Sequence, residues 1–342
     1  SNILRGKFGT ETEMNRKKIG TKGALLSGLT GTFQAFGSEE SRGDTFFHKA
    51  VTAGLLSDGV PSVEFTHDAR GLKPLSVTGL KSDVDGSGNK TITWIRRTRF
   101  NGPWLNGSGN VPVNEMSKEY EAEIFKAGQI IKTFTGLSTE SLTYSKTDYD
   151  NDFPTTETLD GSSGGILSNL GFEEGKLGDW SDPLFDYSVI EDSFAPQGNF
   201  YVRNESNDLS SFSDLSINLD ISDFSIAGHG TIGIQTETVQ DGFSNGNNKI
   251  QMELIDRNEK VLVQAESGVQ SAGNNWATRT LSPVFVPDTA RYLRITLKST
   301  TNVAFDDVKV NVTRDGTTDR VAVRVYQISD AVGRGQPRKR TV

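Results

Sequence analysis

Aromatic residues stand beside side-chain amides in several stretches of this chain that read as loops. Trp180, Phe185, Tyr187, Phe243 and Trp276 lie in or near predicted turns. Asn245-Gly246-Asn247-Asn248 and Asn274-Asn275-Trp276 set amides next to rings. Flat aromatic faces stack on the apolar faces of sugar rings, while Asn, Gln and Asp bond the hydroxyls. The combination points to glycan binding, with Trp180, Tyr187, Phe243 and Trp276 as candidate carbohydrate-binding residues. The alternative for Trp180 and Trp276 is packing in a core or along a sheet edge.

Other chemistry finds little footing. His48, His67 and His229 fall singly, without a metal spacing, and His229 between two glycines reads as a turn residue. No Gly-x-Ser-x-Gly, His-Glu-x-x-His or phosphate loop occurs. Among 44 acidic residues, paired carboxylates arise by chance. The expectation is a protein that is not an enzyme. Asp83, Asp85, Ser87 and Gly88 fit the start of an EF-hand loop, but Trp94 stands where a bidentate Glu belongs. That loop therefore reads as a hairpin turn ahead of the alternating strand Lys90–Trp94. Asp148 to Asp152 reads as a solvated acidic loop, Arg42-Gly43-Asp44 as a turn, and Arg338-Lys339-Arg340 as a solvated end. The absence of cysteine excludes disulfides and thiol chemistry. A net charge of −8 argues against nucleic-acid binding, and no apolar run approaches the ~18 residues of a membrane span.

The elements that must carry these residues are strands. Gly, Ser, Thr, Asn and Asp are abundant, and short alternating stretches recur between them. Tyr120, Ala122 and Ile124 share one face of a predicted strand, as do Leu142 and Tyr144, and later Val321, Val323 and Val325. The order of Trp94 strand, Tyr120 strand and Leu142-x-Tyr144 strand fits a fibronectin type III sandwich whose last strands are missing by residue 160. Those strands return after residue 316. Between lies a stretch, Gly161 to Gly316, with 22 acidic and 11 basic residues, whereas the remainder is slightly basic. The shift marks an inserted unit. The expected fold class is all-β, in three parts. A β-rich segment spans 1–72, and a split fibronectin type III-like domain spans 73–159 and 317–342. An inserted unit spans 160–316.

Longer stretches carry family resemblances. Ile92-Thr93-Trp94-Ile95-Arg96-Arg97-Thr98-Arg99, Val111-Pro112-Val113-Asn114-Glu115, Glu119-Tyr120-Glu121 and Val325-Tyr326-Gln327-Ile328-Ser329 resemble the C-terminal region of siphophage and gene-transfer-agent tail-tip hub proteins. Ile3-Leu4-Arg5-Gly6-Lys7-Phe8-Gly9-Thr10-Glu11 is similar to a stretch those proteins carry just upstream, with Lys7-Phe8 in place of two arginines. Gly71 to Ser76 matches the junction, and Val77 stands where the family has a second proline. The resemblance covers residues 1–158 and 318–342. It implies a structural protein at the distal tail tip of a virion, a homotrimer, and other tail-tip proteins as partners. Full hub proteins are longer, so the chain would be a C-terminal piece or a split version.

The insertion has its own resemblance. Asn169-Leu170-Gly171-Phe172-Glu173-Glu174-Gly175 with Leu177 and Trp180 opens it, and Val303 to Val310 closes it. These stretches resemble the first and last strands of galactose-binding-like β-jelly rolls, the fold of many carbohydrate-binding modules. Related modules often hold a structural calcium where those strands adjoin. The resemblance thus implies Ca²⁺ at Glu173 and Asp306, with Asp307 as an alternative and backbone carbonyls completing the shell. Two surface carboxylates near a strand end are the alternative. The combined reading is a tail-tip protein whose jelly roll touches a host cell-surface glycan. The other reading is a secreted or surface bacterial carbohydrate-binding protein, or the accessory module of a polysaccharide-degrading enzyme.

Overall fold

A computed structural model describes residues 43–49, 58–67, 73–98, 117–206, 208, 210–240, 246–315, 320–330 and 333–342. The fold is all-β. Strands β1 (Thr45–His48) and β2 (Val63–Thr66) pair antiparallel as a hairpin, extended by hydrogen bonds from Gly43 N to His67 O and from His67 N to Asp44 O. Arg42, like most of 1–72, lies outside the described residues.

A sandwich begins with β3 (Thr78–Val84), β4 (Lys90–Ile95), β5 (Glu119–Lys126), β6 (Gln129–Leu137) and β7 (Ser141–Tyr144). The expected hairpin turn joins β3 and β4. Asp85 accepts the Asn89 side-chain amide at 3.0 Å and the backbone N–H groups of Asn89 at 2.9 Å and Ser87 at 2.8 Å, which together hold its carboxyl below the usual range. Strands β3, β4 and β7 form one sheet. Trp94 of β4 meets Tyr120 of β5 edge to face, ring centroids 5.4 Å apart, and Ile92, Ile124 and Leu142 fill in around them.

The acidic stretch after β7 is not a solvated loop. It forms helix α1 (Lys146–Asp152), because Ser145 caps it by accepting Asp148 N, and Tyr149 faces inward, stacked on Phe153 at 5.0 Å.

The jelly roll follows: β8 (Thr156–Leu159), β9 (Tyr187–Glu191), β10 (Phe200–Asn204), β11 (Ser213–Asp220), β12 (Gly230–Gln240), β13 (Asn247–Asp256), β14 (Val261–Glu266), β15 (Gln270–Ser271), β16 (Ala277–Phe285), β17 (Ala290–Ser299) and β18 (Val303–Arg314). One sheet runs β16-β12-β18-β10-β9, with β8 also paired to β18, and the other runs β11-β17-β13-β14 with β15 at β13. Alternation explains both. Leu215, Ile217 and Leu219 of β11 lie opposite Leu297, Ile295 and Leu293 of β17, all buried, while the residues between them face away. Each such side chain contributes about 1.5–3 kcal/mol on burial.

Two expectations shift. The insertion was expected to start at 160, but Leu159 pairs with Val310 and joins the jelly-roll core, so that sheet begins at Thr156. Asn169 to Trp180 is not a strand. It is a run of turns knotted by Asn169, whose Nδ2 donates to Lys176 O at 2.9 Å and Leu177 O at 3.0 Å, while Leu167, Leu170 and Phe172 fill the core.

The chain then returns to the sandwich. Strand β19 (Ala322–Ser329) pairs with β5, and β20 (Gly333–Arg334) and β21 (Arg338–Thr341) pair with β19. The resulting β3-β4-β7 and β6-β5-β19-β21 sheets have the strand order expected of a fibronectin type III sandwich. The basic end is exposed, as expected, but it is not loose: it forms β21, where Lys339 Nζ sits 4.3 Å from the Phe125 ring centre and 2.7 Å from the jelly roll's Asp223.

The two parts meet at Arg314, at the end of β18, with only 2% of its side chain exposed. It donates to Pro154 O at 2.6 Å, to Phe224 O at 3.0 and 3.1 Å, and to Glu157 at 3.1 Å. Lys126 of the sandwich reaches the same Glu157 at 2.5 Å.

Candidate functional site

The three described aromatic candidates, Trp180, Tyr187 and Trp276, do not form one exposed site. Trp180 is a core residue, 4% exposed. Its Nε1 donates to Asn169 O at 3.1 Å, and its ring lies 5.3 Å from that of Phe172. Tyr187 is 6% exposed, and its hydroxyl bonds Ser213 O at 2.8 Å and Ser299 Oγ at 2.9 Å. Burial pushes its phenol well above the usual range. Both rings were expected at loop surfaces, but the core has taken their faces and neither can stack on a sugar. Phe243 lies outside the described residues. Trp276 alone is half-exposed. It belongs to a separate small cluster with Tyr201, Val239 and Ala304, and its Nε1 donates to Phe194 O at 2.7 Å.

The outer face of the five-stranded sheet presents a different set of groups. Its strand registers align Asn218 (β11), Arg294 (β17), Glu253 (β13) and Gln264 (β14) in one row, and Ser216, Thr296, Gln251 and Glu266 in the next. Arg294 is fixed from both sides: Nε donates to Asn218 at 3.0 Å and Nη1 to Glu253 at 2.8 Å. Tyr292 stands one row along, between Asp220 and Ile255. Toward the other end, Lys298 pairs with Asp214 at 3.4 Å and Lys249 with Glu266 at 2.9 Å. Partly exposed pairs like these contribute about 0–1 kcal/mol of stability each. Their larger effect is order: hydrogen-bonding groups are held in a plane beside an aromatic ring. The sequence reading missed this face. Its signal was present in the polar residues alternating with Leu and Ile along Leu215–Leu219 and Leu293–Leu297.

The predicted carboxylates are brought together in part. A backbone bulge places Asp307 in the left-handed region, φ +48°, and turns Asp306 toward the loop before β10. Asp306 is fully buried. It accepts Gln197 N at 3.0 Å and Asp307 N at 2.6 Å. Burial, with Glu173 and Asp307 nearby, pushes its carboxyl up to about 7. Glu173 accepts Asn199 N at 3.1 Å and packs so tightly on Gly198 that a Cβ there would fall on its carboxylate. Asp307 is different: Lys309 holds one of its oxygens, and the other is buried without a hydrogen-bond partner. Among the described residues, no group of three or more Asp, Glu, His or Cys side chains is gathered to hold a metal. Glu173 and Asp306 thus lie near each other on two segments, whereas Asp307 is already paired with Lys309.

No family model and no curated protein matches the chain in sequence. Solved structures similar to it include a CBM22-1 xylan-binding domain from Paenibacillus barcinonensis, with a TM-score of 0.33 and 16% identity, covering 42% of this chain and 92% of that one. A family 11 carbohydrate-binding module from Clostridium thermocellum, in complex with a β-1,3-1,4-mixed-linked tetrasaccharide, has a TM-score of 0.29 and 11% identity, covering 45% of this chain and 94% of that one. The enzymatically active domain of bacteriophage CBA120 tailspike protein 4 has a TM-score of 0.32 and 10% identity over 42% of this chain, which spans only 21% of that one.

Proposed function

We propose that the chain is a carbohydrate-binding protein, and that its jelly roll takes a glycan on the outer face of the five-stranded sheet. One observation carries the reading. Arg294 is immobilised between Asn218 and Glu253, with Gln251 in the next row of the sheet and Tyr292 in the row on the other side. Ordered donors and acceptors beside an aromatic face match the alternating hydroxyl and C–H surfaces of a pyranose. Binding here needs no catalytic group. Glu173 and Asp306 would hold a structural Ca²⁺ that fastens the turns around Phe172 to β18. Affinity electrophoresis in gels containing xylan, mixed-linkage β-glucan or galactomannan tests the reading. Retardation should fall at least ten-fold in Tyr292→Ala and Arg294→Ala. Full retardation in both variants would move the site elsewhere, with the Trp276 cluster next in line.

A phage tail tip is a second reading for the setting of this module. The Gln327 side chain receives Arg97 N at 2.7 Å and donates to Arg97 O at 2.9 Å. Two stretches that resemble tail-tip hub proteins, 230 residues apart, are thereby joined in one sandwich. In that setting the chain forms a trimer with other tail-tip proteins in the virion, and the module faces a host-surface glycan. Weak single sites then add up through avidity. Labelling of purified phage tails by an antibody against the jelly roll separates the two settings.

A further inference from the structure

We infer that Phe185 is an aromatic anchor of the glycan face, a ring held out at the rim of the five-stranded sheet to stack on a sugar of the bound chain. The inference rests on the reading of that face given above. Phe185 is 90% exposed and belongs to the turn Asp182-Pro183-Leu184-Phe185-Asp186. Its backbone is left-handed, φ +58°, a region that a bulky aromatic residue occupies only at a cost. The ring contributes almost no burial in return. A residue that is costly in both backbone and exposure points to a role outside the fold.

The loop is nevertheless stiff. Asp182 accepts Asp186 N at 3.2 Å and Tyr187 N at 2.9 Å through its two carboxylate oxygens, and Phe185 N donates to Asp182 O. Asp186 in turn accepts Ser213 Oγ at 2.5 Å, at the start of β11. The loop's base is stitched to the sheet as well. Ser181 N donates to Ser216 O at 2.6 Å, and Ser216 N donates back at 3.0 Å. Ser216 begins the row that continues through Thr296, Gln251 and Glu266. The turn that carries Phe185 thus grows from the edge of the polar face. With the backbone beneath the ring already fixed, less chain entropy is lost on stacking, which is where preorganised binding gains its affinity.

The full chain serves for the test, run in the same xylan, β-glucan and galactomannan gels. Phe185→Ala should weaken retardation about ten-fold, and Phe185→Trp should keep or strengthen it. Phe185→Gly relieves the left-handed backbone, so it should melt no lower than wild type while binding as weakly as the alanine variant. A purely structural residue cannot give that combination. If Phe185→Ala migrates as wild type while Tyr292→Ala loses retardation, the anchor is overturned and the face stands. If wild type itself runs freely in all three gels, the face reading falls and the anchor with it.

Discussion

Arg314→Met tests the junction between the two parts most directly. The substitution keeps the length and the apolar stem but removes every donor. The carbonyls of Phe224 and Pro154 lose their partner, and Glu157 loses one of its two cations. Burial works against the Arg314 charge and the Glu157 carboxylate works for it. Breaking a buried pair costs about 3–5 kcal/mol, and each stranded carbonyl costs about 1–3 kcal/mol. Lys126 stays on Glu157 at 2.5 Å, so the carboxylate keeps a partner and the two stranded carbonyls set the loss, about 3 kcal/mol together. For a unit of about 150–250 residues, this lowers Tm by about 6–12 °C. Differential scanning calorimetry of the full chain reads it. A shift under about 2 °C would show that water replaces the guanidinium and that the junction is looser than its geometry.

Chelation should lower the jelly-roll transition, and Ca²⁺ should restore it by about 2.7 kcal/mol at 100 times Kd. Glu173→Gln and Asp306→Asn should abolish the response, and Asp307→Asn should leave it; thermal melts with and without chelator decide. In the metal-free protein, the Asp306 carboxyl lies at about 7, above its ordinary 3.8. The stability from its protonated form is therefore present below about pH 4 and lost as pH rises through about 7. Chelated protein should melt higher at pH 5 than Asp306→Asn predicts from its own melt at pH 8, and an identical pH response in both proteins would contradict the assignment. Trp180→Ala should cost about 3–5 kcal/mol by denaturant unfolding, as a core deletion does. Trp276→Ala, half-exposed on its sheet, should cost clearly less in the same assay.

Where alternation decided structure, the sequence was a good guide. Val323 and Val325, Leu142 and Tyr144, and Tyr120 and Ile124 all face the core their spacing implies. Their burial depends on period alone. The split sandwich was legible for the same reason, since β19 repeats the pattern of a strand that the first half lacks. The aromatic site was not legible. Trp180 and Tyr187 look alike in sequence to an exposed loop aromatic. Their burial depends on Asn169, Ser213 and Ser299, partners up to 112 residues away. Phe185 shows the converse: five residues from Trp180, it is the ring left outside. Helix α1 was hidden by its acidic composition, and the Ser145 cap outweighed that composition. Glu173 and Asp306 entered through the jelly-roll resemblance alone; each follows a core ring, Phe172 or Phe305, that fixes where the carboxylate emerges.

The pairing of β8 with β18 also sets an order of events during folding. Strands β7 and β19 pack in one sandwich, yet about 180 residues of chain separate them, and closing a loop of that length is entropically costly. Once the jelly roll has formed, Thr156 lies opposite Thr313, and the gap shrinks to about ten residues on either side. By the logarithmic dependence on loop length, that shortening is worth roughly 2 kcal/mol to the closing step. The inserted part should therefore fold first and act as the clasp that lets the sandwich close. A lesion in the jelly-roll core would then slow the maturation of a domain it never touches.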